Sequence, residues 1–184
     1  MSVNDQREVI DFYGFYTYDW YESFGAFANH HFLLERDYIS DGCSTSETSE
    51  ASITHQFLYN RHIKKTYYIE GVIQGNICLV ASEATSTVTS YRVTVCKMHE
   101  DNTASELATT GWVTVSDTLA WDASLSVGDE VVYPFWIDVW EEKKITDKER
   151  LYLKVEVNCD QYCHLYHSND ATWKDVWVAI PFRL

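Results

Sequence analysis

The stretch TYYIEGVIQGNICLVA, residues 66–81, indicates the fold class, because its side chains keep a period of two throughout. Apolar residues and glycines occupy every second position from Tyr67 to Leu79, and a more polar set fills the positions between them. This is the period of a β-strand, whose successive side chains face opposite sides of a sheet. At about 3.3 Å per residue the stretch spans about 50 Å, which exceeds an ordinary strand. We therefore expect one long strand that bends at Gly71 and Gly75 and that crosses between two packed sheets or serves both.

Shorter alternating segments follow this strand and none of them has a helical pattern. The clearest are residues 90–98, 131–140, 151–157 and 175–182. Seven or eight strands without intervening helices exclude a βαβ fold and predict an all-β, antiparallel β-sandwich. Uneven strand lengths and loops of mixed length favour a jelly-roll-like arrangement over an up-and-down barrel. Pro134 places its own strand at a sheet edge or at a bulge, because proline donates no ladder hydrogen bond.

The first 52 residues differ in composition from the remainder of the chain. Residues 1–36 carry ten aromatic side chains without a steady period, and residues 40–52, SDGCSTSETSEAS, are small, polar and acidic. We predict an aromatic N-terminal arm and flexible linker over residues 1–52 and a jelly-roll sandwich over residues 53–184. In an alternative interpretation, the aromatic segment forms the first strand or two of the same core.

The charge and cysteine content restrict the partners and the compartment. The sequence has 14 basic and 28 acidic residues, a net charge of -14 that repels nucleic-acid phosphates and anionic lipid. The charged opening MSVNDQREVIDFYG is unlike a signal peptide, and no apolar run reaches the length of a membrane helix. Five cysteines, an odd number without framework spacing, fit synthesis in a reducing cytoplasm. We expect neither nucleic acid nor a membrane as a partner.

One short segment combines several metal-binding residue types. The segment NCDQYCHLYH contains Cys159, Cys163, His164 and His167, which are soft or borderline ligands suited to zinc. The spacing matches no common zinc motif, and the segment has no glycine to help it curl around an ion. The sequence also lacks a Gly-X-Ser-X-Gly motif and a phosphate-binding glycine loop. We therefore expect an ordinary loop here and no cofactor or catalytic residue.

The tryptophans are the most informative side chains for recognition. Trp136 and Trp140 alternate with the inward set of their strand, Trp173 and Trp177 flank the last loop, and Trp20 lies in the aromatic segment. Exposed indole rings stack on sugars or anchor contacts between subunits. A second buried layer beneath the aromatic segment would account for them equally well. All three interpretations remain open from the sequence.

The order of motifs along the last 120 or so residues resembles a known class of proteins. An opening YYIEGVIQG strand is followed by the hairpin YRVTVCKMHEDNTASELATT, the strand GDEVVYPFWIDVW, the strand KERLYLKVEVN, the loop LYHSND and the terminal IPFRL. This order is similar to that of β-sandwich virion proteins of tailed viruses of bacteria and archaea. Ser168 stands where the family's loop has an acidic residue.

The resemblance implies a non-enzymatic structural role on a virus particle, as a capsid decoration, turret or tail-associated subunit made in the host cytoplasm. The implied partners are further copies, in a trimer or pentamer, and other capsid or tail proteins. No site residue is carried over, because the shared positions are strand and turn positions. A carbohydrate- or receptor-binding module that uses the outward tryptophans against a host-surface glycan is the alternative, and an enzyme with an inward metal is the third hypothesis.

Overall fold

The computed structural model describes residues 7–17, 31–35, 43–44, 46–49, 52–59, 63, 65–82, 84–166 and 176–183. These residues form strands, turns and loops and contain no helix, as the alternation predicted, so none of them provides a helix able to cross a membrane. The strands are β1 (Arg7–Thr17), β2 (His31–Glu35), β3 (Cys43–Ser44), β4 (Ser46–Ser49), β5 (Ser52–Tyr59), β6 (Tyr67–Ala81), β7 (Ser86–Met98), β8 (Ala104–Thr109), β9 (Val113–Leu119), β10 (Trp121–Asp122), β11 (Val127–Gly128), β12 (Glu130–Ile145), β13 (Arg150–Cys159), β14 (Cys163–Tyr166) and β15 (Trp177–Arg183).

The principal strands form two antiparallel sheets packed as a sandwich. The first sheet has the order β1-β15-β6-β12, and the second has the order β5-β13-β7, with β8 and β9 end to end along the far edge of β7. A short parallel pairing of β2 with β5 links the sheets at one side. From β5 through β6, β7, β12 and β13 to β15, the chain alternates between the two sheets. The exceptions are β8 and β9, which both follow β7 on the second sheet, the small β10–β11 pair, and β14, which precedes β15 on the first sheet. This crossing pattern of interlocked Greek keys is that of a jelly roll.

Strand β6 lies in the middle of the first sheet. β12 pairs along one edge of it, and β15 and then β14 pair along the other. Of the two glycines at which a bend was predicted, Gly71 has a left-handed φ of 115°, and the pairing with β12 slips just beyond it, between Val139 and Lys143. The expectation that this strand crosses between the sheets or serves both is wrong, because β6 keeps first-sheet partners over its whole length.

The core fills the space between the two sheets. Its largest fully buried side chains include Ile69, Ile73 and Ile77 from β6 and Leu151 and Leu153 from β13. They lie on the parity that the sequence placed inward, and the burial of each contributes roughly 1.5–3 kcal/mol relative to exposure. The sandwich is therefore held mainly by the alternating apolar residues of its long strands.

Strand β1 belongs to the first sheet, and its Phe12 is part of the core. β1 pairs with β15 from Arg7 opposite Arg183 to Tyr13 opposite Trp177. The buried Phe12 ring makes edge contacts with Tyr59 and Phe182, with centroids 5.3 and 6.3 Å away. For these residues the structure agrees with the second interpretation, in which the aromatic segment supplies a strand of the same sandwich. The boundary at residue 52 stays a prediction.

Candidate interaction face

The outer surface of the first sheet exposes an unusual set of apolar side chains. Trp136 and Trp140 on β12 are 68% and 86% exposed, and Val72 on β6 and Val9 on β1 are 51% and 63% exposed. Scattered single apolar residues are normal on protein surfaces, whereas several on the same face of one sheet indicate a candidate contact site. We call this surface the tryptophan face and define it by Val9, Asp11, Val72, Gln74, Trp136, Asp138, Trp140 and Trp177.

Strand register brings these side chains onto one surface. Trp136 is opposite Gln74 of β6, and Asp138 is opposite Val72. Residues directly opposite each other in an antiparallel pair share a face of the sheet. The buried Phe135, Ile137 and Val139 alternate with them on β12 and anchor the strand in the core. Trp136 and Trp140 therefore lie outward, as the alternation predicted.

The tryptophan face lies at an edge of the sandwich. Among the described residues, β12 forms a strand pairing with β6 alone, which confirms the first of the two positions, edge or bulge, that Pro134 predicted. Pro134 is exposed and lies opposite Asn76. A proline and several charged side chains on an edge strand discourage uncontrolled pairing with other strands. We therefore expect a partner to bind this surface through side-chain contacts and not by pairing a strand with β12.

Trp136 and Trp140 form a linear pair. Four residues apart on one strand, their Cα atoms are separated by about 13 Å at the usual rise of an extended chain. The exposed carboxylate of Asp138 lies between them on the same face. The arrangement offers two apolar platforms with a hydrogen-bond acceptor between them.

Trp177 plays a different part from the two exposed tryptophans. Its ring is half-buried, and its indole N–H donates to Oδ1 of Asp11 at 3.3 Å. Gly75 lets the backbones of β6 and β15 lie close together: a Cβ there would lie 2.1 Å from the Trp177 carbonyl oxygen and 2.6 Å from the Phe135 ring. Trp177 thus supports the sheet and leaves Trp136 and Trp140 as the contact residues. Trp20 and Trp173 lie outside the described residues.

A cleft adjoins the tryptophan face at the β12 edge. It has a volume of about 230 Å³ and is lined by Tyr91, Thr110, Val113, Pro134, Phe135 and Trp136. The Tyr91 hydroxyl donates to the Pro134 carbonyl oxygen at 3.2 Å and ties the edge strand to β7. Trp136 therefore borders both the flat outer surface of the sheet and this cleft.

Paired charges lie at the far end of the same sheet. Arg183 of β15 contacts Glu70 of β6 at 2.9 Å and also contacts Glu142 of β12. These pairs tie the last strand to its two neighbours. The acidic groups Asp11 and Asp138 on the tryptophan face give that surface a negative character that agrees with the charge of the whole chain.

The segment with the metal-binding residue types is divided by the fold. Cys159 and Cys163 are buried in the core, where their thiols contact each other. His164 lies on the other side of β14 from Cys163 and Leu165, because its neighbours in the strand face inward. His167 falls outside the described residues. Within the described part of the chain, no group of three or more histidine, cysteine or acidic residues is placed to hold a metal ion.

A second polar cluster closes the β7–β8 hairpin. The Glu149 carboxylate, nearly buried, lies 2.7 Å from Lys97 Nζ and 3.0 Å from His99 Nδ1, and it accepts the Thr146 N–H at 2.8 Å. The other ring nitrogen of His99 lies 2.8 Å from the Ser105 hydroxyl. Burial acts to raise the pKa of Glu149, but the hydrogen bonds from Lys97 and Thr146 outweigh it and lower that pKa. Because Lys97 neutralises the carboxylate, we interpret this cluster as a structural clasp.

Sequence reasoning missed several exposed residues. Val9 and Val72 join the tryptophan face only through strand register, which periodicity within one strand does not reveal. Trp112, in the β8–β9 loop, is 48% exposed and carries the Arg92 guanidinium 4.8 Å from its ring centre. It belongs to the second sheet's outer surface and provides a natural control for the exposed tryptophans of the first sheet.

Comparison with known proteins supports the fold and leaves the function open. No protein-family model matches the sequence, and no curated protein sequence matches it. The structure is similar to a CocE/NonD family hydrolase from Staphylococcus aureus, with a TM-score of 0.52 and 12% identity over 96% of this chain. This chain spans only 37% of that hydrolase. At this identity the likeness shows a shared fold alone.

Two other solved structures have lower similarity. One is infectious bursal disease virus, Gx strain, with a TM-score of 0.36 and 12% identity, covering 97% of this chain and 38% of that one. The other is a carbohydrate-binding module of the β-sandwich superfamily, with a TM-score of 0.32 and 8% identity, covering 97% of this chain and 90% of that module. Scores at this level carry no argument about function.

Proposed function

We propose that this chain is a non-enzymatic jelly-roll subunit of a virus particle and that it attaches to a capsid or tail protein through the tryptophan face. The observation that carries the attachment surface is the exposure of Trp136 and Trp140, at 68% and 86%, on one sheet face. Tryptophans that become buried at an interface are among its strongest contributors, commonly about 2 kcal/mol or more each. The virion setting rests on the motif order from YYIEGVIQG to IPFRL and on the jelly-roll strand order.

Charge selects the partner on this face. A second copy docked on the tryptophan face would bring the Asp11 and Asp138 carboxylates near their equivalents, and like charges in contact disfavour association. A different protein, with an apolar surface rimmed by lysine or arginine, complements the face. Self-association into a trimer or pentamer is part of the proposal and uses other surfaces of the sandwich.

Binding to particles prepared without this subunit tests the attachment. We expect the double variant Trp136→Ala/Trp140→Ala to lose at least tenfold in affinity for such particles, and we expect the control Trp112→Ala to bind like the parent. Equal binding by the double variant would contradict the proposed surface. Sedimentation tests assembly, for which we expect a mass of three or five times 21.4 kDa. A monomer at high concentration would contradict that part.

Carbohydrate binding is a second candidate function for the same surface. Its specific support is the linear pair Trp136 and Trp140 with Asp138 between them and Gln74 beside Trp136. Indole rings stack on sugar rings, while carboxylate and amide groups bind sugar hydroxyls. A glycan array separates the candidates: binding that is lost in Trp136→Ala and kept in Trp112→Ala favours this function. Particle attachment without glycan binding favours the first.

A further inference from the structure

Two cysteines meet at the junction of β13 and β14. Cys159 is the last residue of β13 and Cys163 the first of β14, and both are buried in the core. Their thiols contact each other. The Ser86 hydroxyl beside them donates to Oδ1 of Asp160 at 3.4 Å and to the Gln161 carbonyl oxygen at 3.3 Å, both in the turn that joins the two cysteines. Only the exposed residues 160–162 separate them in sequence. The two sulfur atoms are therefore neighbours in space as well as in sequence.

The short turn between them is fixed at both ends. The Thr87 N–H donates to the Asp160 carboxylate at 2.6 Å, and the Asp160 N–H donates to the Thr87 carbonyl at 3.1 Å. At the other end the Ser82 N–H donates to the Tyr162 carbonyl at 3.2 Å. A pair of thiols held in contact by such anchors loses little conformational freedom when it becomes covalently joined.

We propose that Cys159 and Cys163 form an intramolecular disulfide by exchange with a small disulfide such as oxidised glutathione. The Cys163 thiolate attacks one sulfur of the small disulfide, forms a mixed disulfide and expels one glutathione thiolate. The Cys159 sulfur then attacks the Cys163 sulfur, closes the protein disulfide and expels the second glutathione. The protein loses two electrons and two protons, and the oxidant gains both as two glutathione thiols.

The surroundings of the pair assign these two roles. The hydrogen bond that Cys159 donates to Cys163 lowers the pKa of Cys163, against the effect of burial, and raises that of Cys159. The thiolate is the reactive form, so Cys163 attacks first and Cys159 resolves the mixed disulfide. The exposed turn 160–162 is the solvent-facing segment next to the pair, so we assign the approach of the oxidant to that side.

Cys96 is a buried cysteine that lacks this arrangement. It is buried on the outer side of the second sheet beside Tyr152, Leu58 and Met98. Burial raises the pKa of its thiol, which keeps it protonated and inert. Cys96 is a suitable matched control, because it is buried to a similar degree and lacks a neighbouring thiol in that cluster.

Thiol counting and peptide mapping on the full chain test the proposal. The protein is incubated with oxidised glutathione, quenched by alkylation, unfolded and digested. We expect two of the five thiols to be lost and one peptide pair to show a Cys159–Cys163 bond, with the same result in Cys96→Ser. We expect Cys159→Ser to retain a stable glutathione adduct on Cys163, because the resolving thiol is gone.

Three outcomes would overturn the proposal. These are five free thiols after exposure to the oxidant, a stable glutathione adduct on either cysteine of the unsubstituted protein, and a bond from either cysteine to another one. The test does not involve the tryptophan face, so its result is independent of the proposed function. Circular dichroism of each variant checks that the sandwich is intact.

Discussion

Tyr91 of β7 and Tyr133 of β12 stack across the core with ring centroids 5.0 Å apart and planes 22° from parallel. The Tyr133 hydroxyl donates to the Asp117 carboxylate at 2.8 Å, and the Tyr91 hydroxyl donates to the Pro134 carbonyl. These contacts join the edge strand that carries Trp136 to the opposite sheet. The exposed tryptophans therefore stand on a strand fixed through the core.

We expect Tyr133→Phe to lower stability at neutral pH and to reduce the loss of stability that the parent shows at high pH. Burial, followed by the hydrogen bond to Asp117, raises the Tyr133 pKa above its ordinary 10.0, so the folded state keeps a proton that the unfolded state loses. The contribution of this tyrosine is complete below pH 10 and falls as the pH rises further. The variant should lose about 1 kcal/mol at pH 7. Above pH 10 its unfolding free energy should fall less steeply, by about 1.4 kcal/mol per pH unit. Urea unfolding from pH 7 to 11 measures this, and parallel slopes would contradict it.

We expect Glu149→Gln to weaken the hairpin clasp and to flatten the acid limb of the stability curve. Its lowered pKa means that the stabilisation is complete above the ordinary value of 4.5 and is lost as the pH falls below it. Loss of the charge next to Lys97 and His99 should cost about 1–3 kcal/mol at pH 7. The control is Glu141→Gln, whose parent carboxylate is exposed and 3.6 Å from Lys143. Urea unfolding at pH 3 and 7 measures this: the unfolding free energy of Glu149→Gln should change less between the two pH values than that of the parent, whereas Glu141→Gln should behave like the parent.

Two glycines should respond to alanine for different reasons. At Gly75 the added Cβ would overlap the Trp177 carbonyl oxygen and the Phe135 ring, so β6 and its neighbours must move apart. We expect a loss of about 3 kcal/mol or more from overpacking. At Gly111, with φ of 64°, the Cβ meets nothing within 4 Å, and only the left-handed conformation costs about 1 kcal/mol. Equal losses in urea unfolding would contradict the close packing at Gly75.

Replacing the exposed tryptophans should leave the sandwich intact. Trp136→Ala removes a mostly exposed ring, and we expect the unfolding free energy to change by less than about 0.5 kcal/mol. Ile137→Ala, the next residue on the same strand, removes a buried side chain and should cost about 2–5 kcal/mol. Thermal or urea unfolding distinguishes the two. A large loss for Trp136→Ala would assign that ring to packing and weaken the attachment proposal.

The all-β class was predictable because alternation is local. A period of two over residues 66–81 and 151–157 states which side chains face inward, and the burial of Ile73, Ile77 and Leu153 agrees with it. Pro134 restricted β12 to a sheet edge or a bulge, because it lacks the N–H that a central strand needs. Such properties belong to one strand at a time.

Strand partnership was not predictable in this way. The path of β6 depends on which strands lie beside it. The contact of Cys159 with Cys163 depends on a turn that is anchored to β7. The separation of His164 from both cysteines depends on the alternation of side chains along β14.

The sequence by itself determined the strand character, the inward and outward parity and the negative charge of this protein. Only the tertiary structure decided which outward residues from β1, β6 and β12 share one surface. The physical reason is that side-chain direction is set by adjacent peptide units, whereas the neighbours of a strand are set by hydrogen bonds to segments far away in the chain.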